Sequence, residues 1–303
     1  MSGFPAEWLA LREDADRRAT SAATLAALRR WAVEKARAAG RLAIVDLGAG
    51  TGSALRRLAP VLSPRQSWLL VDVEPALLDV ALRQRFTMGR RIEVRMDLRN
   101  LTAPKALAPC VIGADLVTAS ALLDLTSASW CRALAHALAQ AGAALYAPLT
   151  YDGRLALEPA DALDETVRAL VNAHQRRDKG FGPALGPAAA PAFMRLAAAD
   201  GAVVRAARSD WLLTAAGAAL IAPLLRGWVQ AAGEMAHELR PSLGAWLRQR
   251  CRQLATDALR VRVGHLDVFV RWQGDQSGAG RSRSQSRRTS SPSGKAFMRN
   301  RRA

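Results

Sequence analysis

Ile44-Val45-Asp46-Leu47-Gly48-Ala49-Gly50-Thr51-Gly52 is the stretch on which the reading of this chain turns. Leu42 to Leu47 is a short apolar run with β-favouring Ile44 and Val45, interrupted only by Asp46. A run of that length, closed by glycines, reads as a buried strand. The alternating glycines Gly48, Gly50 and Gly52 permit backbone angles that a Cβ forbids, and they let a ligand approach the main chain. Ala54 to Leu62 then reads as a helix, and free N–H groups at its start favour a carboxylate or phosphate. An acid inside a buried strand is costly unless it is used. Asp46 is therefore read as a functional residue rather than a turn acid.

The segments beyond this turn alternate in the same way. Trp68 to Val71 is a second strand ending in Asp72, and Pro75 to Phe86 is helical. Ile92 to Met96 is a third strand ending in Asp97, and Ala114 to Ala119 a fourth. A helix from Ser129 to Gln140 leads to a fifth strand, Ala143 to Leu149. Strands alternating with helices imply βαβ units and a parallel sheet. Further on, Pro191 to Ala199 reads as a helix, Val203 to Leu213 contains a sixth strand and Val261 to Trp272 a seventh. Between those two strands lie helical segments near Ala215 to His237 and Pro241 to Ala258.

Two cofactor classes use a strand, a glycine turn and a helix. Dinucleotide folds want Gly-x-Gly-x-x-Gly. Here the third position is Ser53, and Gly52 comes one residue early, giving Gly-x-Gly-x-Gly with an acid two residues before the first glycine. Asp72 closes the second strand twenty residues beyond Gly52. A carboxylate there can accept both ribose hydroxyls, a geometry shared with NAD enzymes. Asp97, in Met96-Asp97-Leu98, can accept the exocyclic amine of adenine, while Leu98 or Val73 packs on the ring. Ser120 follows the fourth strand, where the carboxyl edge of the sheet faces a ligand.

On these residues, 42 to 150 resemble the class I S-adenosylmethionine-dependent methyltransferase domain. The resemblance implies an α/β, Rossmann-like three-layer sandwich with a seven-stranded, mostly parallel sheet whose last two strands form an antiparallel edge. It implies S-adenosylmethionine as cofactor, with its methionine part against the loop that holds Gly48, Gly50, Thr51 and Gly52. Asp72 would hold the ribose, and Asp97 with Leu98 the adenine.

The chain divides into an N-terminal helical cap over 1–41, a methyltransferase domain over 42–273 and a tail over 274–303. In the cap, Ala6 to Arg18 reads as one helix. Leu25, Leu28 and Val33 mark the apolar stripe of a second, which Gly40 ends as a C-cap. The domain splits into a cofactor half, 42–150, and a substrate or lid half, 151–273. The loop from Asp178 to Pro187 is open to two readings, a lid over a pocket or an ordinary connection. The tail carries eight Lys or Arg against Asp275, and its Ser, Gly, Arg and Gln composition predicts disorder.

Methyl transfer needs two groups held close and water excluded, and it needs a base only when the acceptor arrives protonated. No single catalytic residue is therefore forced on the sequence. Asp124, just past the fourth strand, Tyr151 and Asp152, just past the fifth, and His174 on an apolar helical face are the pocket candidates. Each has a plainer reading: His174 as a packed histidine, Asp152-Gly153 as a turn. Thr118 to Asp124 lacks the prolines and aromatic of amide-nitrogen and adenine methylases, and Pro109-Cys110 precedes the fourth strand in a loop. Cys110, Cys131 and Cys251 have no metal-binding or redox spacing and read as buried thiols, so no metal is expected.

The net charge of +17 falls partly on the tail, which supplies +7. With no signal peptide and no apolar stretch of ~20 residues, a cytoplasmic protein without a membrane role is expected. The absence of nucleic-acid and protein-methylase signatures points to a small-molecule acceptor. One alternative is a catalytically silent, methyltransferase-like binding or assembly protein whose basic tail contacts RNA or another polyanion without reading sequence, since no aromatics are interleaved for stacking. An NAD-dependent oxidoreductase is the other, and the misplaced third glycine argues against it.

Overall fold

A computed structural model describes residues 5–62, 65–85 and 92–272 of the chain. The predicted tail lies outside the described residues, as does Phe86.

The first strand is β1 (Leu42–Leu47), followed by α3 (Ser53–Leu58), β2 (Gln66–Asp72), α4 (Pro75–Arg85) and β3 (Ile92–Leu98). Next come α5 (Leu107–Val111), β4 (Leu116–Thr118), α6 (Ala128–Ala141) and β5 (Ala144–Glu158). Before β1 stand α1 (Ala6–Ala19) and α2 (Ala22–Ala39). After β5 come α7 (Asp164–Gln175), α8 (Ala189–Ala199), β6 (Val203–Arg208), β7 (Trp211–Leu213), α9 (Ala218–Met235), α10 (Arg240–Ala255) and β8 (Arg260–Arg271). The sheet runs β3-β2-β1-β4-β5-β8-β6, with β7 also on β8. Strands β1 to β5 are mutually parallel, and β8 is antiparallel to β5, β6 and β7.

Among the described residues eight strands stand where seven are expected, because Val203 to Leu213 is broken at Ser209 and Asp210. The two pieces pair with successive parts of β8, Val203 to Arg208 with Arg271 to Leu266 and Trp211 to Leu213 with Val263 to Val261. They fill one position in the sheet, so the seven-position architecture holds. The expected antiparallel edge is present: β8 lies between β5 and the outermost strand β6 and runs against both.

Alternation along β1 divides the core. Ile44 faces a cluster with Leu28, Leu55, Leu58 and Leu78 from α2, α3 and α4. Val45 and Leu47 face a second, with Val111, Leu134 and Phe193 from α5, α6 and α8. A third cluster gathers Tyr151, Val167, Trp211, Ile221, Trp228 and Trp246 where the long ends of β5 and β8 meet α7, α9 and α10. The N-terminal helices belong to the same compact unit as the sheet. In α2, Ser21 is the N-cap and Gly40, at φ +73°, the C-cap. Its inward stripe is Ala27, Leu28 and Ala32, whereas Val33 is exposed.

β5 corrects the sequence reading most. It does not end at Leu149 but runs to Glu158, paired with β8 throughout. Leu149 (φ +59°) and Gly153 (φ +86°) bend it without ending it, at two register shifts. Tyr151 and Asp152 are thus strand residues, and Asp152-Gly153 is a bulge, not a turn. The Asp178 to Pro187 segment is a packed connection. Leu185 N–H donates to Thr126 C=O at 2.8 Å, and Phe181 stands edge-on to Trp130 at 5.8 Å. Cys110 and Cys131 are buried, while Cys251 is only half-buried. Among the described residues no helix is long and apolar enough to cross a membrane.

Candidate functional site

In an open α/β sheet a ligand crevice opens where neighbouring strands send their connections to opposite sides. Here that point lies between β1, which leads to β2, and β4 on its other flank. The glycine turn stands at this edge. Gly48 and Ala49 N–H both donate to Val71 C=O, at 2.9 and 3.0 Å, which folds the turn back over β2. Gly48, Gly50 and Gly52 all have positive φ. A Cβ on Gly52 would lie 2.9 Å from Ala81 Cβ on α4, so only glycine lets the turn sit this close.

Asp72 fastens the turn. Its Oδ2 accepts the Gly50 N–H at 2.8 Å, and its Oδ1 accepts the N–H groups of Val73 and Glu74 at 2.7 and 3.0 Å. A carboxylate offers about four lone-pair sites. Three are used by the main chain, which leaves room for one ligand hydroxyl where sequence reasoning expects two. The Gly50 N–H is likewise committed to Asp72. Asp97 is paired with Arg99, whose Nε donates to Oδ2 at 2.7 Å. Leu98 stands opposite Asp72 in the β2–β3 register. Leu98 and Val73 are 61% and 50% exposed, two open apolar side chains beside the ribose-type acid.

Behind the turn lies a buried polar group of residues. Asp46, 1% exposed, accepts the Thr118 hydroxyl on Oδ1 at 2.6 Å, while Oδ2 has no partner among the described residues. Burial raises its pKa from the usual 3.8 to about 7, against the opposing pull of Thr118 and of Arg57. Arg57, on α3, points at Ser120 and Thr20, its Nη atoms 3.4 Å from each hydroxyl. Sequence reasoning missed Arg57, because a basic residue in an amphipathic helix reads as solvated until its neighbours are known.

Asp46 carries a testable pH dependence. Its folded-state pKa lies above that of the unfolded chain, so the folded protein holds the extra proton between about pH 4 and 7. The stability this contributes is present below that window and is lost as pH rises through it. His265 works the other way. Burial lowers its pKa from 6.5 to about 3, and its contribution is lost as pH falls. Asp46→Asn keeps an acceptor for Thr118 and leaves His265 intact. The variant is expected to gain stability relative to the parent protein between pH 5 and pH 8, by on the order of a few kcal/mol. Thermal unfolding across that range checks it, and parallel pH profiles for the two proteins would count against a buried ionisation at Asp46.

The four pocket candidates separate. Asp124 sits in the turn after β4, 7% exposed, with Oδ1 unpartnered among the described residues. Burial lifts its pKa to about 6. Two residues earlier, Leu122 lies 3.5 Å from where a Gly48 Cβ would stand, so this segment abuts the glycine turn. The Tyr151 hydroxyl donates to Asn172 Oδ1 at 2.7 Å and is held neutral by burial and by Asp152. Asp152 is ion-paired with Arg154, which also bridges to Asp210. Both act as ties within the sheet extension. His174 does not point into the core. It is bracketed on the α7–α9 surface by Glu234 at 3.1 Å and Lys179 at 3.3 Å. Its pKa is lowered by burial and then by Lys179.

Over this edge lies α1, a second feature that sequence alone did not place. Leu9 Cδ1 lies 3.1 Å from a would-be Gly50 Cβ. Glu13 pairs with Arg56 of α3, and Asp16 accepts from both Arg12 and the Trp211 indole, at 2.9 and 3.0 Å.

No family profile matches the sequence, and no curated protein matches it. Solved structures do. One is the YcgJ protein from Bacillus subtilis, at 15% identity and a TM-score of 0.45, covering 77% of this chain and 93% of that one. Another is the mycolic acid cyclopropane synthase CmaA1 in complex with S-adenosylhomocysteine, at 11% identity and a TM-score of 0.40, covering 75% and 78%. A third is the phosphoethanolamine N-methyltransferase 2 of Haemonchus contortus with S-adenosyl-L-methionine, at 13% identity and a TM-score of 0.37, covering 77% and 49%. The chain has a Rossmann-like fold: a mostly parallel sheet with β4 at its centre and β1 beside it, an antiparallel strand next to one edge, and helices on both faces.

Proposed function

We propose that the chain is an S-adenosylmethionine-dependent methyltransferase acting on a small-molecule acceptor. The observation that carries this reading is the glycine turn at the β1/β4 crevice, closed by Asp72 and flanked by the open apolar side chains Val73 and Leu98. S-adenosylmethionine supplies, when bound, an electrophilic methyl group on a sulfonium. The residues fit it in charge and shape. Asp72 has one lone-pair site left for a ribose hydroxyl, and Val73 and Leu98 can cover a purine ring. The buried carboxylate of Asp46, with one oxygen free, suits the cationic methionine end, while Arg57 and Ser120 suit its carboxylate. Helix α1 lies over the glycine turn, with Leu9 3.1 Å from a would-be Gly50 Cβ, and so narrows this side of the edge.

Calorimetric titration with S-adenosylhomocysteine, with NAD as a parallel ligand, tests the assignment. Saturable binding of the first and none of the second is expected. No heat of binding at millimolar S-adenosylhomocysteine would remove the assignment, and saturable NAD binding would replace it with an oxidoreductase.

A further inference from the structure

Among the described residues, six non-exposed residues besides Arg250 and Trp272 leave a side-chain polar atom without a hydrogen-bond partner: Asp46, Arg57, Asp124, Thr150, Ser209 and His265. A buried polar atom left unpaired costs free energy, so a carboxylate oxygen in this condition points to something it is held ready to meet. Asp46 and Arg57 belong to the cofactor end already described. Of the rest, Asp124 is the carboxylate, and it stands at the carboxyl edge of β4 beside the glycine turn. The pieces that position it are short and rigid. The Ala121 N–H donates to Pro148 C=O at 3.0 Å, and the Leu125 N–H donates to Leu122 C=O at 3.0 Å, which closes one turn of 3₁₀ helix over Leu123–Leu125.

Building on the cofactor reading above, we propose that Asp124 is the acceptor-facing base of the site. Its free Oδ1 takes the proton of a hydroxyl or amine acceptor as the methyl group arrives. The acceptor's lone pair forms the new bond to carbon, and the carbon–sulfur bond breaks with its electron pair remaining on sulfur. The acceptor's proton passes to Oδ1 and later to solvent. No oxidant, reductant or metal is needed for this balance. The acceptor class follows: a small molecule whose nucleophilic oxygen or nitrogen bears a proton to be lost.

The surroundings suit that role. Burial holds the Asp124 pKa up at about 6, which leaves the group poised to accept a proton near neutral pH. The groups facing it are its own main-chain amide, Arg12 on α1 and the main-chain amide of Tyr151 on β5, all of which favour the carboxylate. Arg12 is itself paired with Asp16. The Tyr151 hydroxyl feels the Asp124 charge, which together with burial keeps it neutral, but it spends its proton on Asn172. Neither His174 nor Asp152 can substitute, since each is paired elsewhere.

The test needs no knowledge of the acceptor. S-adenosylmethionine differs from S-adenosylhomocysteine by a methyl group and a positive charge at sulfur. If Asp124 faces that sulfur, the sulfonium favours its ionised form, and S-adenosylmethionine releases more protons on binding. Calorimetric heats of the two ligands at pH 6, each in two buffers of different ionisation enthalpy, give the protons exchanged. An excess release by S-adenosylmethionine of up to roughly half a proton per site is expected in the parent protein. It should vanish in Asp124→Asn, with S-adenosylhomocysteine affinity changed less than about threefold, and survive in His174→Gln, which removes a titratable group outside the site. Equal release by the two ligands, an excess retained in Asp124→Asn, or an excess lost in His174→Gln would each overturn the proposal. The comparison of the two ligands on the parent protein decides even if Asp124→Asn fails to fold. Failure of both ligands to bind the parent protein would instead bring down the cofactor reading on which this one rests.

Discussion

Replacing Asp267 by Ala is expected to be the most destabilising single change in the chain, by ~3–5 kcal/mol. Asp267 is fully buried on β8, and its carboxylate is the meeting point of three elements. Oδ2 accepts the Ser21 N–H at 2.9 Å, the Tyr146 hydroxyl at 3.1 Å and the Thr24 hydroxyl at 3.5 Å, and Oδ1 accepts the Leu149 N–H at 2.9 Å. These donors fix the start of α2, the first residues of β5 and the bulge at Leu149. Truncation takes this acceptor from the Ser21 and Leu149 amides and the Tyr146 hydroxyl, while the Thr24 hydroxyl keeps Ser21 C=O at 3.2 Å, and each orphaned donor costs about 1–3 kcal/mol. For a unit of this size a loss of that order lowers Tm by roughly 10 °C. Asp267→Asn should recover only part of it, because an amide offers one acceptor oxygen and turns its NH₂ towards hydrogen-bond donors. Urea and thermal unfolding measure both variants. A penalty for the alanine below about 1 kcal/mol would mean that the four contacts are not what joins α2 to the sheet.

The same region shows what the sequence could and could not disclose. The β1 strand and its glycine turn were legible because two local signals coincide, an apolar run and glycines at positions where φ must be positive. The βαβ order through β5 was legible for the same kind of reason. The end of β5 was not. Gly153 reads as punctuation, yet a partner strand 110 residues later continues the ladder through it, from Leu155 opposite Val263 to Glu158 opposite Arg260. A bulge and a turn call for the same residues, and only the distant partner decides between them. That single ambiguity displaced Tyr151 and Asp152 from the pocket into the sheet. The roles of α1 and Arg57 were hidden for a related reason, since whether a charged helix face meets water or a cleft is decided by what packs on it. Asp46 was visible as an acid inside a strand, and Asp72 and Asp124 as acids ending or following strands. That the main chain already occupies three sites on Asp72 required coordinates.

On the proposed assignment Asp72 serves both the glycine turn and the cofactor ribose, so Asp72→Ala is expected to reduce S-adenosylhomocysteine affinity by about 100-fold or more, equivalent to ~3 kcal/mol. Two losses combine. The first is direct, a charge-assisted hydrogen bond to a ribose hydroxyl, worth about 1.5–3 kcal/mol. The second is organisational. Without the carboxylate the Gly50 N–H loses its acceptor, and so do the Val73 and Glu74 N–H groups that set the exit from β2. A turn with three positive-φ glycines has many other conformations available, and the ligand would then bear the entropy of ordering it. Stability should fall much less than affinity, because these amides lie at an edge that water can reach. Titration calorimetry beside thermal unfolding separates the two effects. Undiminished affinity in a folded Asp72→Ala protein would show that the turn holds its shape alone and that the ribose is held by another residue. An equal loss of affinity and stability would mean that Asp72 serves the fold first and the ligand only through it.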